Sequence, residues 1–297
     1  MIEQALYQHL QEQESLRPYL AEYAGKMAIF NQSAPPDKDP DWGEGPQYGR
    51  IVFSVDLQGD PERTLGGKLT MDILCNEECG QFPEEIEPIL RPLIHGYFFC
   101  RRKFVVSAQW LDSKPFTEPT NRLTGCTLFF DLLAFPVSNY APHVITQFNE
   151  WSSTIDGLHV INRDPLPTVA WKPKKGQSAI YWRVAKEEQC RWIPTTFSTV
   201  WMSATVKGYI FSETPAAAAE MAHYLMMRLY SDKRLRKDGE LLRAGESPIM
   251  VNSKNSVDNG ADPLRTGQLT VEATYGTVVA FEPDPEQVGV IQHIYKS

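Results

Sequence analysis

Gln268-Leu269-Thr270-Val271-Glu272-Ala273-Thr274-Tyr275 alternates without a break: Leu269, Val271, Ala273 and Tyr275 against Gln268, Thr270, Glu272 and Thr274. A pleat sends successive side chains to opposite faces, so this stretch predicts a strand with one face on a core. Runs of strands joined by short connections, as here, are expected to form a mostly antiparallel sheet. The same pattern recurs upstream over Val200–Phe211, with Met202, Ala204, Val206 and Ile210 on one face, and strands are also expected at Ala179–Lys186 and Pro248–Asn252. Between them Thr214-Pro215 reads as a helix start, an N-cap followed by proline at the first helical position. That helix carries the stripe Ala218, Met221, Leu225 and Leu229. A further helix holds Val144, Ile145, Phe148 and Trp151.

The first half of the chain runs in the same order. Ile2, Leu6 and Leu10 mark one helix face, with Tyr7 beside them. A short apolar piece, Met27-Ala28-Ile29-Phe30, comes next, then strands at Arg50–Leu57 and Leu65–Cys75, the latter with Leu69, Met71, Ile73 and Cys75 on one face. A helix starts at Pro83, and Pro88 and Pro92 make it kinked or shorter than its partner in the second half. Strands at Lys103–Leu111 and Cys126–Ala134 close the unit. Each half reads α–β–β–β–α–β–β, and a tandem duplication explains this economically. Ile29-Phe30-Asn31 answers Val160-Ile161-Asn162 at an offset of 131, whereas Thr124-Gly125 answers Thr266-Gly267 at 142. The difference places an insertion in the charged stretch Ser231–Glu246. Aligning Leu128 with Leu269 gives 141 instead, and a one-residue bulge would reconcile the two. The expected fold class is therefore α+β: two similar domains, each a mostly antiparallel sheet with helices packed on one face. Their expected bounds are 1–136 and 137–280. Residues 281–297 are expected to be a C-terminal docking tail, since Val288, Val290, Ile291, Ile294 and Tyr295 are too apolar for a purely solvated one, and to dock on a neighbouring subunit or the other domain.

The 297 residues are 42% hydrophobic and 22% charged, with a formal net charge of -8. This excludes coiled-coil and collagen-like chains, and no apolar run is long enough for a spanning helix. The acidic balance gives no general basic footprint for holding a phosphate backbone. The polar N-terminus has no secretory pattern and the five cysteines are an odd number, so a soluble, intracellular protein with reduced thiols is expected.

Motifs for chemistry are sparse. There is no phosphate-binding glycine loop, no G-x-S-x-G elbow and no H-E-x-x-H pair. Cys75 and Cys79, with His95 and Cys100 nearby in sequence, are candidate zinc ligands by type. Their spacing lacks the two-residue knuckle, and structural cysteines are the favoured reading. No catalytic, cofactor-binding or metal residue is assigned. Arg101-Arg102-Lys103 and Lys233-Arg234-Leu235-Arg236-Lys237 read as solvated basic stretches, the second suited to a helix C-terminus. Seven tryptophans are many, and Trp42 and Trp171 fall in loops outside any periodic face, where aromatics often mark interfaces.

Ala28-Ile29-Phe30-Asn31-Gln32-Ser33-Ala34-Pro35, then Gln47-Tyr48-Gly49-Arg50-Ile51-Val52-Phe53, resembles the small tail-terminator, or tail-completion, proteins of tailed bacteriophages and prophages. The likeness continues through Phe82–Ile94 and Gly125–Ala134, and a second copy occupies about Asn139 to Ala280, best marked at Asp262-Pro263-Leu264-Arg265-Thr266-Gly267-Gln268-Leu269. The resemblance implies a structural virion protein without enzymatic activity or cofactor, forming a ring on the six-fold tail tube at the neck. It implies assembly in the host cytoplasm, then residence in the virion tail, with DNA only a passing cargo. Two units per chain depart from the family's single small domain. They allow three chains to imitate a hexamer, or six chains to carry an added domain each. Ring contacts are expected from edge strands and from the loops Gln32–Pro46 and Arg163–Gln177. The competing reading is a cytosolic α+β enzyme or small-molecule-binding protein with its site between the domains.

Overall fold

The computed structural model describes residues 2–57, 65–76, 80–101, 104–118, 122–136, 143–168, 170–191, 193, 199–232, 234–235, 249–252, 254–258, 260, 264 and 267–278. The first half begins with α1 (Ile2–Gln11), a small hairpin of β1 (Glu22–Tyr23) and β2 (Lys26–Met27), and β3 (Ile29–Asn31). It continues through β4 (Arg50–Leu57), β5 (Leu65–Asn76), α2 (Pro83–Ile94), β6 (Phe98–Arg101), β7 (Phe104–Glu118) and β8 (Leu123–Pro136). The strands lie side by side in the order β6-β7-β8-β5-β4-β3. Every neighbouring pair is antiparallel except β3 with β4.

The second half holds α3 (His143–Ser152), β9 (Leu158–Val160), β10 (Ala170–Trp171), β11 (Ser178–Gln189), β12 (Thr199–Ser212), α4 (Pro215–Asp232), β13 (Arg234–Leu235), β14 (Ile249–Val251), β15 (Ser256–Val257) and β16 (Leu269–Val278). Its sheet runs β13-β14-β16-β12-β11-β9, with β15 also on β16. Again the pair at one end, β9 with β11, is parallel and the rest antiparallel. The two sheets thus share one strand order and one exceptional parallel pair. The fold is α+β with two similar domains, each a mostly antiparallel sheet carrying helices on one face.

The alternation read from the sequence settles which face. Ile51, Phe53, Leu69, Met71, Ile73, Cys75, Leu128 and Phe130 are buried under Ile2, Leu6 and Leu10 of α1 and Ile86, Leu90 and Ile94 of α2. In the second half Ile180, Trp182, Ala204, Val206, Leu269, Val271 and Ala273 are buried under Val144 and Phe148 of α3 and Ala218, Ala222, Leu225 and Leu229 of α4. Pro88 and Pro92 do not break α2, because they occupy its exposed face where the carbonyls they leave unbonded reach water. The helix is nonetheless shorter than α4, 12 residues against 18. Thr214 caps α4 as expected, its Oγ1 accepting the Ala217 N–H at 3.2 Å.

Three sequence expectations need correction. Each half has more strands than expected: the β1–β2 hairpin and β6 in the first, β10, β13 and β15 in the second. The alignment slips by two residues. In the parallel ladders Ile29 lies opposite Ile51 and Leu158 opposite Ser178, so the offset is 129 between β3 and β9, rather than 131, and 127 between β4 and β11. Carried across the neighbouring ladders, Leu69 answers Gly208 and Phe130 answers Leu269, an offset of 139 rather than 141 or 142, so the extra residues of the second half come before Gly208 and not in Ser231–Glu246. A two-residue slip preserves the buried face, so hydrophobic patterning alone could not detect it. No bulge interrupts β8 near Thr124-Gly125, where pairing from Asn76↔Leu123 to Gly67↔Leu132 is continuous, and Thr266 in the other half lies outside the described residues. Bulges occur instead at Gly66, at Leu111 and at Ala185.

Candidate functional site: the junction between the sheets

The two sheets meet through the faces turned away from their helices. Phe98, Val105, Leu133 and Phe135 of the first half pack with Ile161, Ala179, Tyr181, Tyr209 and Phe211 of the second. Ring centroids lie 4.8 Å apart for Phe98 and Phe211, 5.0 Å for Phe135 and Tyr181, and 5.3 Å for Phe135 and Phe211. Burial pushes the Tyr181 phenol up to about 12, so it stays neutral here. The strands feeding this joint are covered on both sides. Leu132 faces the first core and Leu133 the joint, while Trp182 faces the second core and Tyr181 the joint.

A strand exchange reinforces it. β10, from the second half, lies antiparallel on the β6 edge with Ala170 opposite Phe99 and Trp171 opposite Phe98. The Trp171 ring sits 5.7 Å from Phe98 and 4.9 Å from His159. Next in chain, Lys172 Nζ donates to the His95 carbonyl at 2.9 Å and lies over the Tyr97 ring. Burial lowers the Lys172 pKa, opposed by nearby Glu213. His95 is held neutral by desolvation first and then by the positive charges of Lys172 and Arg91. Its Nδ1 accepts the Trp110 N–H at 3.0 Å, leaving the proton on Nε2.

Beside this exchange a cleft of about 390 Å³ opens, lined by His95, Gln109, Lys172, Ser212, Glu213, Thr214, Leu264 and Gln268. Its polar groups serve the frame. Gln268 is buried, donating to the Ile210 carbonyl at 2.6 Å and accepting the Ile210 N–H at 3.0 Å. Ser212 and Ser178 share a hydroxyl hydrogen bond at 2.7 Å, and Thr214 caps α4. No hydroxyl here faces a histidine within hydrogen-bond reach among the contacts described, the arrangement a nucleophile–base pair requires. The geometry makes a joint.

The singled-out residues are dispersed. Cys75 is in the first core, Cys100 is exposed near the end of β6, and His95 follows α2. Cys79 lies outside the described residues. Among the described residues, no group of three or more His, Cys, Asp and Glu side chains could hold a metal ion. Of the basic stretches, Arg101 ends β6 and Arg234-Leu235 form β13, while the remaining positions lie outside the described residues. The C-terminal segment 281–297 lies outside them too.

Trp42 and Trp171, expected in loops outside any periodic face, are both packed within the chain. Trp42 is 3% exposed, packed on Tyr23 and Phe30 under its own loop, with its indole N–H donated to the Pro36 carbonyl. Arg50 fastens that loop: it pairs with Asp37 at 2.9 Å and lies over the Tyr48 ring at 4.5 Å. The Tyr48 hydroxyl donates to Asp37 at 2.7 Å; burial and then this bond push its pKa up to about 12. The loop Arg163–Gln177, expected at contacts between chains, is engaged within the chain through β10. Sequence reasoning missed the joint itself. Its signal was adjacent aromatics on both faces of one strand, Tyr181-Trp182, and the run Tyr97-Phe98-Phe99.

No family model, curated protein or solved structure matches this chain. No helix among the described residues is long and apolar enough to cross a membrane.

Proposed function

We propose that the protein is a structural component of a phage or prophage tail, forming a ring that caps the tail tube and joins it to the neck. The observation that carries this reading is the head-to-tail contact between two similar domains, in which β10 of one lies on the β6 edge of the other. Contacts that use two different surfaces generate rings when the rotation closes. The joint is aromatic and buried, as a permanent interface is, and its neighbouring cleft commits its polar groups to structure. The ring has no enzymatic role in this reading and takes no cofactor. Its partners are further copies of itself, the tail-tube protein and neck proteins. Its acidic balance opposes phosphate contacts, so DNA slides through without being held.

Electron microscopy of purified tail tubes mixed with the full chain tests this. Density added at one end of each tube is the expected result. Binding along the tube wall, or no binding, overturns it. A second reading, a small-molecule protein using the cleft beside Lys172, is favoured only by the cleft's position between the domains. It predicts a monomer that ignores tubes and gains thermal stability with a small carboxylate or phosphate compound.

A further inference from the structure

Three of the six histidines converge on the contact between β10 and β6. His9, on α1, stacks on Tyr97 at 4.5 Å and reaches Phe99 at 6.0 Å, and Phe99 is the residue opposite Ala170. His95 stands just before β6, and its backbone carbonyl accepts the Lys172 ammonium at 2.9 Å. His159, on β9, lies 4.9 Å from the Trp171 ring. The two-residue strand is therefore held by Trp171 against one histidine and by Lys172 against another, while the third backs the edge on which it rests. Each ring closes this contact only when neutral. His95 Nδ1 accepts the Trp110 N–H at 3.0 Å, so a second ring proton would set two donors against each other. That charge would also stand beside Lys172 and Arg91. His159 Nε2 is buried with no hydrogen-bond partner among the described residues, so the ring's bond to the Asp164 backbone falls to Nδ1. A proton on Nε2 would be a buried, unanswered donor beside Trp171. His9 is buried among aromatic rings with Nε2 on the Leu93 carbonyl.

We propose that the β10–β6 contact is an acid-sensitive clasp: protonation of His95 and His159 lifts β10 from β6 and opens that side of the joint, while both sheets stay folded. The carboxylates facing these groups are Glu12 toward His9, Asp164 toward His159 and Glu213 toward Lys172. Burial outweighs them at His9 and His159, and burial with two positive neighbours acts at His95, so all three rings stay neutral to lower pH than an ordinary histidine. Once the clasp opens, the rings meet water and take up protons more readily. The clasp is therefore complete above about pH 6.5 and is lost as pH falls through the lowered values of the closed form. The sheets outlast it because β5, β7, β8, β11, β12 and β16 pair over long ladders on cores of their own, whereas β10 offers two residues. This clasp does not depend on the ring.

Hydrogen exchange on the full chain, corrected for the pH dependence of intrinsic exchange, tests this. Between about pH 7.5 and about pH 5.5, protection in the peptides covering β6 and β10 should fall about tenfold or more, with β5 and β16 little changed. Protection should return when neutral pH is restored. His95→Asn keeps an acceptor for the Trp110 N–H and His159→Asn keeps a donor for Asp164, yet neither replacement titrates. The double variant, confirmed as folded by circular dichroism, should lose less than about threefold over the same range, the share left to His9, and each single variant should fall between. In the wild type, unchanged protection at β6, or an equal loss in β5 and β16, overturns the clasp whether or not the variants fold. A folded double variant that keeps the full wild-type response overturns it as well.

Discussion

Gly208 lies directly opposite Trp182 on the β11–β12 ladder, and a Cβ there would come within 2.8 Å of the indole. Trp182 cannot retreat: it packs on Phe148 at 4.8 Å and donates its indole N–H to Ser152. Gly208→Ala should therefore cost about 1–3 kcal/mol, the range for overpacking a filled core, measured by urea denaturation. His9 supplies a pH prediction. It is buried, donates from Nε2 to the Leu93 carbonyl at 2.8 Å, and stacks on Tyr97 at 4.5 Å. Desolvation holds its pKa below 6.5 in the folded chain, with the Leu93 bond and Glu12 opposing. The unfolded chain then takes up the proton first, so this contribution is full above about pH 6.5 and is lost as pH falls through the folded value. Melting temperature should drop less between pH 7.5 and 5.5 in His9→Gln than in the wild type; equal drops would contradict it. Single residues were only partly legible. A lone histidine on a helix face carries no sign of what covers it, and nothing in the alternation at Gln268 announces that its polar position is buried at a joint.

At the level of elements, the faces were the legible part, because a period of two or 3.6 states which side is apolar. Leu225 shows it: its place in the Ala218–Leu229 stripe predicted burial, and it is fully buried in the second core. Leu225→Asp should lower stability by several kcal/mol, since it puts an unpaired charge among apolar contacts. An unchanged melting temperature would contradict that. Element lengths and the short strands were less legible. β6, β9, β10 and β13 owe their pairing to what lies beside them rather than to a period of their own. β10 is the clearest case, two residues in a proline-rich loop that become a strand only because the β6 edge is there. Trp171→Ala removes a half-buried ring from that contact and should cost about 2 kcal/mol or more. The readout is faster amide hydrogen exchange in the peptide covering β6, with β12 and β16 unchanged; uniform loosening of both sheets would show that β10 is not a local clasp.

For the whole molecule, the doubling was legible because two halves repeat one succession of patterns, while the way they join was not. Joining depends on which second face of a strand is also apolar, and Leu133, Phe135, Tyr181 and Tyr209 look in sequence like ordinary breaks in alternation. The contact within the chain is directional: β10 of the second half lies on the β6 edge of the first. The most direct test of its meaning is the number of chains in the assembly that forms with the tail-tube protein, counted by native mass spectrometry. Three chains per ring is the predicted value, each supplying two of six similar units. Six chains would make the second domain an addition to an ordinary hexamer, and a persistent monomer would contradict the account.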